Sequence, residues 1–96
     1  MTTNEQLTAE SVGAHFIYDA ETGVLRWREK PGKSMLAGTP AGSKNGNGYT
    51  VVRFHGRDYY AHRIVWLMAR GAWPVGQIDH INGDPADNRL MNLRDV

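Results

Sequence analysis

A chain of 96 residues without a single cysteine has to hold itself together by packing alone. Disulfide staples and thiolate zinc sites, the usual props of small folds, are excluded, the Cys-ligated zinc ribbon among them. What remains is one domain with a modest core, because a short chain buries a smaller share of its surface than a long one. Its apolar side chains must therefore fall on the right faces of a few short elements. No run approaches the eighteen apolar residues of a membrane helix, so no membrane association is expected. Residues 1–7 are polar and lack the basic start and apolar run of a secretory signal, and the expected location is the cytoplasm.

The periodicity changes several times along the chain. Thr8 reads as the N-cap of a short helix running to about His15, with Leu7 and Val12 placed as a hydrophobic staple. Ser11 is too short to close a full capping box there. Phe16-Ile17-Tyr18 and Val24-Leu25-Arg26-Trp27 flank a turn containing Gly23 and read as a hairpin. Residues 29–48, rich in Gly, Lys, Ser, Asn and Pro, read as a long, basic, flexible loop. Tyr49 to Phe54 has strand composition, His55-Gly56 suits a two-residue turn, and Arg57 to Tyr60 returns. From Ala61 the spacing becomes helical: Ala61, Ile64, Val65 and Met68 share a face, and Gly71 suits the C′ position. Gln77 to Ile81 and Asn92 to Asp95 then read as two short strands. The expected class is α+β, with small hairpins on short helices in a single domain over residues 1–96. Its parts are a helix plus hairpin at 1–28, the loop at 29–48, and a hairpin–helix–strand unit at 49–96.

Charge is unevenly spread despite a formal total of +1. Residues 26–70 carry nine Lys and Arg against Glu29 and Asp58, whereas the first 25 residues hold acids only. Residues 71–96 hold four Asp against Arg89 and Arg94. A basic middle beside an acidic end suits a face that meets phosphate next to a site that holds a cation, though ordinary surface charge reads the same way.

The most informative stretch is Asp79-His80-Ile81-Asn82-Gly83-Asp84, followed by Asp87-Asn88-Arg89 and Asn92-Leu93. It resembles the core of the HNH (ββα-metal) endonucleases of the phage and homing type. The upstream run Gly48-Tyr49, Gly56-Arg57, Tyr60-Ala61-His62-Arg63, Trp66 and Gly71-Ala72-Trp73-Pro74 resembles what precedes that core in phage proteins, so the likeness spans roughly residues 16–96. It implies a phage or prophage protein in a bacterial host cell that binds double-stranded DNA and cleaves phosphodiester bonds. His80 matches the general base: a neutral imidazole can take a proton near physiological pH. Asn92 matches the second letter, and its amide is expected to orient that imidazole. Asp79 matches the carboxylate ligand of one divalent ion, Mg²⁺ or Mn²⁺, since hard cations take oxygen ligands. Adjacent strand residues point to opposite faces, so Asp79 and His80 can share a site only where the strand ends or twists.

Arg53, Arg57, Arg63, Lys44 and Arg89 are the candidates for contact with phosphate, and His62, Asn82 and Asn88 for the border of the cleft. Each has a plainer reading. His80 could be a surface histidine; Asp84, Asp87 and Asn88 could cap the loop through bonds to backbone N–H; Trp27, Trp66 and Trp73 read as core before they read as stacking platforms. The family pattern continues into a helix bearing a further metal ligand, and the sequence ends at Val96 with Asp79 as the only clear ligand. Unaided catalysis is therefore not expected. Apolar surface around Ile78, Leu90 and Leu93 is expected to stay partly open and to serve a homodimer or a protein partner. The alternative function is that of a catalytically inactive, HNH-derived interaction module, such as an inhibitor of a host nucleic-acid-targeting defence complex.

Overall fold

No stretch of this sequence keeps one apolar period for long, and the elements are correspondingly short. A computed structural model describes residues 7–29 and 37–96. Lys30, Lys33 and most of the first half of the expected loop lie outside the described residues. The class is α+β, built from small antiparallel sheets and short helices. Among the described residues no helix is long and apolar enough to cross a membrane.

The first helix, α1, is only Val12–His15, three residues shorter at its start than an N-cap at Thr8 suggests. Thr8 and Ser11 nevertheless bond each other reciprocally. Ser11 N–H donates to Thr8 Oγ1 at 3.1 Å and Thr8 N–H to Ser11 Oγ at 3.0 Å. The serine hydroxyl does reach back, contrary to expectation, because the chain between them is a tight turn and shortens the gap. β1 (Phe16–Asp19) and β2 (Val24–Trp27) follow as the expected hairpin, pairing Phe16 with Trp27 and Asp19 with Val24.

The second half of the expected loop is not loose. Ala41 N–H donates to the Leu25 carbonyl at 2.7 Å and Trp27 N–H to the Thr39 carbonyl at 3.0 Å, so residues 38–41 run along β2. Residues Ser43–Lys44 form β3 and pair with β4, Thr50–Phe54. Unpaired backbone groups beside a strand edge are costly when buried, and this segment satisfies them by joining two sheets. β4 turns through His55 and Gly56, at φ 49° and 79°, into β5 (Arg57–Tyr60). Two positive φ values in a two-residue loop match the twist of the flanking strands.

Helix α2 (Ala61–Arg70) ends on Gly71, which is left-handed at φ 77° and donates its N–H to the Leu67 carbonyl. The buried face of α2 carries Ala61, Ile64, Val65 and Leu67; together with Leu7, Phe16 and Val52 these form the centre of the core. Burying a side chain such as Ile64 or Leu67 contributes roughly 1.5–3 kcal/mol each. β6 (Ile78–His80) pairs with β7 (Leu93–Asp95), and a 3₁₀ turn over Leu90–Asn92 leads into β7. Leu93 is only 6% exposed and lies in the core, while Ile78 and Leu90 are half-buried. Leu93 is therefore not part of an open patch, because it packs into the common core with the buried residues of α2, β1 and β4.

Candidate active site

The β6–β7 pair sets the site. β6 stops at His80, whose carbonyl accepts the Gly83 N–H at 2.8 Å, while Ile81 N–H donates to the Asn92 carbonyl. That turn ends the alternation of side-chain directions, and Asp79 and His80 line one cavity of about 220 Å³ with Tyr49, Ile78, Gly83 and Pro85. Asp79 sits opposite Arg94 in the register, and its Oδ2 accepts from the Arg94 guanidinium at 2.5 Å. Both partners are well exposed.

His80 is 8% exposed and its Nε2 lies 2.9 Å from Asn88 Oδ1. An amide oxygen can only accept, so the contact places the proton on Nε2 and leaves Nδ1 as the basic nitrogen. Among the described residues no protein group bonds Nδ1, and it is not sealed from solvent. The orienting asparagine is thus Asn88 rather than Asn92. Asn92 is buried but faces the loop: its Oδ1 accepts the Asn82 N–H, and its Nδ2 donates to Asn82 Oδ1 and to the Asp87 carbonyl, each at 2.9 Å. Those bonds consume both ends of the amide, which is why it cannot also reach the imidazole.

Asn82 and Asp87 belong to that loop lattice. Asn82 Nδ2 donates to Asp87 Oδ2 at 2.8 Å, and the Arg89 guanidinium donates to both Asp87 oxygens. The Arg89 bonds, aided by the one from Asn82, hold the Asp87 carboxyl well below the usual carboxylate range. Asp84 Oδ1 accepts the Ala86 N–H and Asp87 Oδ1 the Arg89 N–H, the loop-capping pattern of short acidic side chains.

His62, at the start of α2, meets His80 edge to face with ring centroids 4.9 Å apart, and stacks on Tyr60 at 5.2 Å. It is 6% exposed, and its Nδ1 is buried without a hydrogen-bond partner among the described residues. Burial foremost, then the charge of His80 and of Arg63, depresses its pKa to about 4, so it is neutral at physiological pH. Tyr49 touches both histidine rings, at 5.8 Å from His62 and 6.0 Å from His80. Sequence reasoning passed over Tyr49 as the first residue of a strand; its position after Gly48 gave no sign that it would lie against two histidines.

The five basic candidates divide. Lys44 is exposed and borders a cavity of about 510 Å³ with Tyr59 and Tyr60. Arg63 borders the neighbouring cavity with Tyr49, Tyr60 and His62, and donates to the Gly76 carbonyl at 3.2 Å. Arg53 bonds Asp58 across the hairpin at 3.0 Å, and Arg57 lies exposed at the tip of the same hairpin. Arg89 is committed to Asp87. The structure thus brings Arg63 into one cavity with His62, sets Lys44 at a separate cavity that neither His62 nor His80 lines, and lines none of these cavities with Arg53, Arg57 or Arg89.

Among the described residues no three His, Asp or Glu side chains gather as a metal group. Asp79 is the one carboxylate lining the His80 cavity. Mg²⁺ is commonly held by one or two carboxylates with substrate phosphates and water filling the rest of its shell, and a single exposed aspartate beside the base fits that pattern.

Residues 59–96 match the model of a family described as HNH endonuclease. The matched stretch begins in β5, takes in α2, and carries Asp79, His80, Asn88 and Asn92. No curated protein and no solved structure matches the chain. The match covers 38 of the 96 residues and is a likeness to HNH endonucleases over that stretch.

Proposed function

We propose that the HNH endonuclease segment, residues 59–96, is the catalytic part of a protein that binds double-stranded DNA and hydrolyses its phosphodiester bonds. The observation that carries this reading is His80. It ends a strand, lines a cavity with Asp79, and is held by Asn88 so that Nδ1 is left as the free base.

In the reaction His80 Nδ1 takes a proton from water as its oxygen attacks phosphorus, the P–O3′ bond breaks, and the departing 3′ oxygen takes a proton from solvent. Asn88 keeps the proton on Nε2, so the imidazole enters the reaction with the Nδ1 lone pair free to take a proton. His62, neutral and pressed against the His80 ring, fills the space behind it without adding a competing charge. Arg63, which shares a cavity with His62, and the exposed Lys44 are the candidates to meet the flanking phosphates. A divalent ion, Mg²⁺ or Mn²⁺, would be held by Asp79 and would neutralise the charge that develops on the phosphate. Arg94 competes with the ion for that carboxylate, and the exposed pair is weak enough to exchange.

The test is plasmid cleavage with Mg²⁺ and with Mn²⁺. His80→Ala should lower the rate by about 10²–10⁴, the usual loss for a general base. Cleavage at the unmodified rate in His80→Ala, or in excess EDTA, overturns the reading.

A further inference from the structure

Asn88 sits in an irregular segment between β6 and the 3₁₀ turn, outside any strand or helix, yet its side chain has to hold His80. What fixes Asn88 comes from seventy residues away. The Tyr18 hydroxyl, on β1, donates to the Asn88 carbonyl at 2.9 Å and accepts the Leu90 N–H at 2.8 Å. One phenol oxygen thus bridges the backbone on either side of Arg89, using its donor and its acceptor at once. Burial above all pushes the Tyr18 phenol up, so it stays protonated and keeps donating. The turn of the same hairpin closes on the same segment from a second point. Gly23, at φ 77°, lies so near that a Cβ there would stand 2.6 Å from the Asn88 carbonyl carbon. Only a residue without a Cβ permits both that conformation and that approach.

The geometry points to the β1–β2 hairpin as a clamp that sets the orientation of His80, with Tyr18 as the positioning residue and Gly23 as the close contact that seats it. The chain of contacts runs from Tyr18 through the Asn88 backbone and Asn88 Oδ1 to His80 Nε2. The hairpin lies outside the stretch matched by the family model, and this role for it rests on the reading of His80 as the base. A phenylalanine at position 18 would keep the ring packing and lose both bonds, leaving the segment of Asn88 free to drift. The imidazole would then no longer be confined to one tautomer.

The experiment uses the full chain with ¹⁵N-labelled histidine. Long-range ¹H–¹⁵N correlation spectra read the tautomer of His80 directly, whether or not the protein cleaves. In the unmodified protein the His80 signals should be those of the Nε2–H form. In Tyr18→Phe they should move to a mixture of tautomers, and kcat for plasmid cleavage should fall roughly tenfold with little change in KM, as when a supporting partner of a reactive group is lost. Val52→Ala, a core change of similar destabilising kind away from the clamp, should leave the His80 spectrum as it was. Gly23→Ala gives a second approach should Tyr18→Phe fail to fold. Its control is Gly71→Ala, which has the same φ of 77° and nothing within 4 Å, so the pair separates backbone strain from pressure on Asn88. An unchanged His80 tautomer in folded Tyr18→Phe, or equal spectra in the two glycine variants, overturns the clamp. A changed tautomer with unchanged cleavage supports the clamp and overturns His80 as the base.

Discussion

His62 offers a measurement that depends on folding and needs no substrate. Its imidazole has an ordinary pKa of 6.5 when free and is pushed down to about 4 in the folded protein, because burial first, and then the neighbouring His80 and Arg63, disfavour the cation. Between those values the unfolded chain binds a proton that the folded chain refuses, so stability falls as pH drops through 6.5 and stops falling below 4. A difference of this size corresponds to a ceiling of about 3 kcal/mol. Going only from pH 7 to pH 5, the expected loss is at most about 2 kcal/mol. In a domain of this length that is roughly 8–16 °C of Tm. His62→Phe keeps an aromatic ring between Tyr60 and His80 but removes both the titration and the unpartnered Nδ1. Urea unfolding of both proteins at pH 7, 6 and 5 isolates the effect, since the remaining groups titrate alike in each. The variant should lose up to about 2 kcal/mol less than the unmodified protein over that range, and should be no less stable at pH 7, where the unpartnered nitrogen is a liability. Equal pH slopes in the two proteins would falsify the account of His62 as a buried neutral imidazole.

The pair between Asp79 and Arg94 is exposed and worth about 0.2–1 kcal/mol, so Arg94→Gln should lower the Mn²⁺ concentration for half-saturation by up to about fivefold. Paramagnetic line broadening reads this without cleavage, and an unshifted titration would remove Asp79 from the list of ligands. For DNA, Lys44→Ala and Arg63→Ala should each flatten the log–log salt dependence of binding by roughly one unit, with Arg57→Ala closer to unmodified. A larger effect at Arg57 than at Lys44 would move the binding face to the hairpin tip.

Most of the local structure was legible because local physics sets it. The hairpin at 16–27, the His55–Gly56 turn, α2 and its Gly71 stop all follow from period and turn chemistry over a few residues. The errors arose where partners are remote. Residues 38–44 look like loop because they are rich in Gly and polar residues, yet they are held by β2 and β4, which no local pattern announces. Leu93 was expected at an open edge, and its burial depends on joining a core assembled from residues as far away as Leu7 and Phe16.

The same division holds at the site. The sequence by itself determined which chemistry is available: a histidine next to a carboxylate at a strand end, asparagines within reach, and a basic middle. Only the tertiary structure decided the assignments. Asn88 and not Asn92 holds His80, because the amide of Asn92 is used up by Asn82 and Asp87 within its own loop. Arg89 is spent on Asp87, and Lys44 and Arg63 are the bases that border the cavities. The physical reason is that hydrogen bonds are short-ranged and directional. Which of several chemically equal groups makes one depends on positions fixed by packing across the whole chain, and a residue as distant as Tyr18 can settle it.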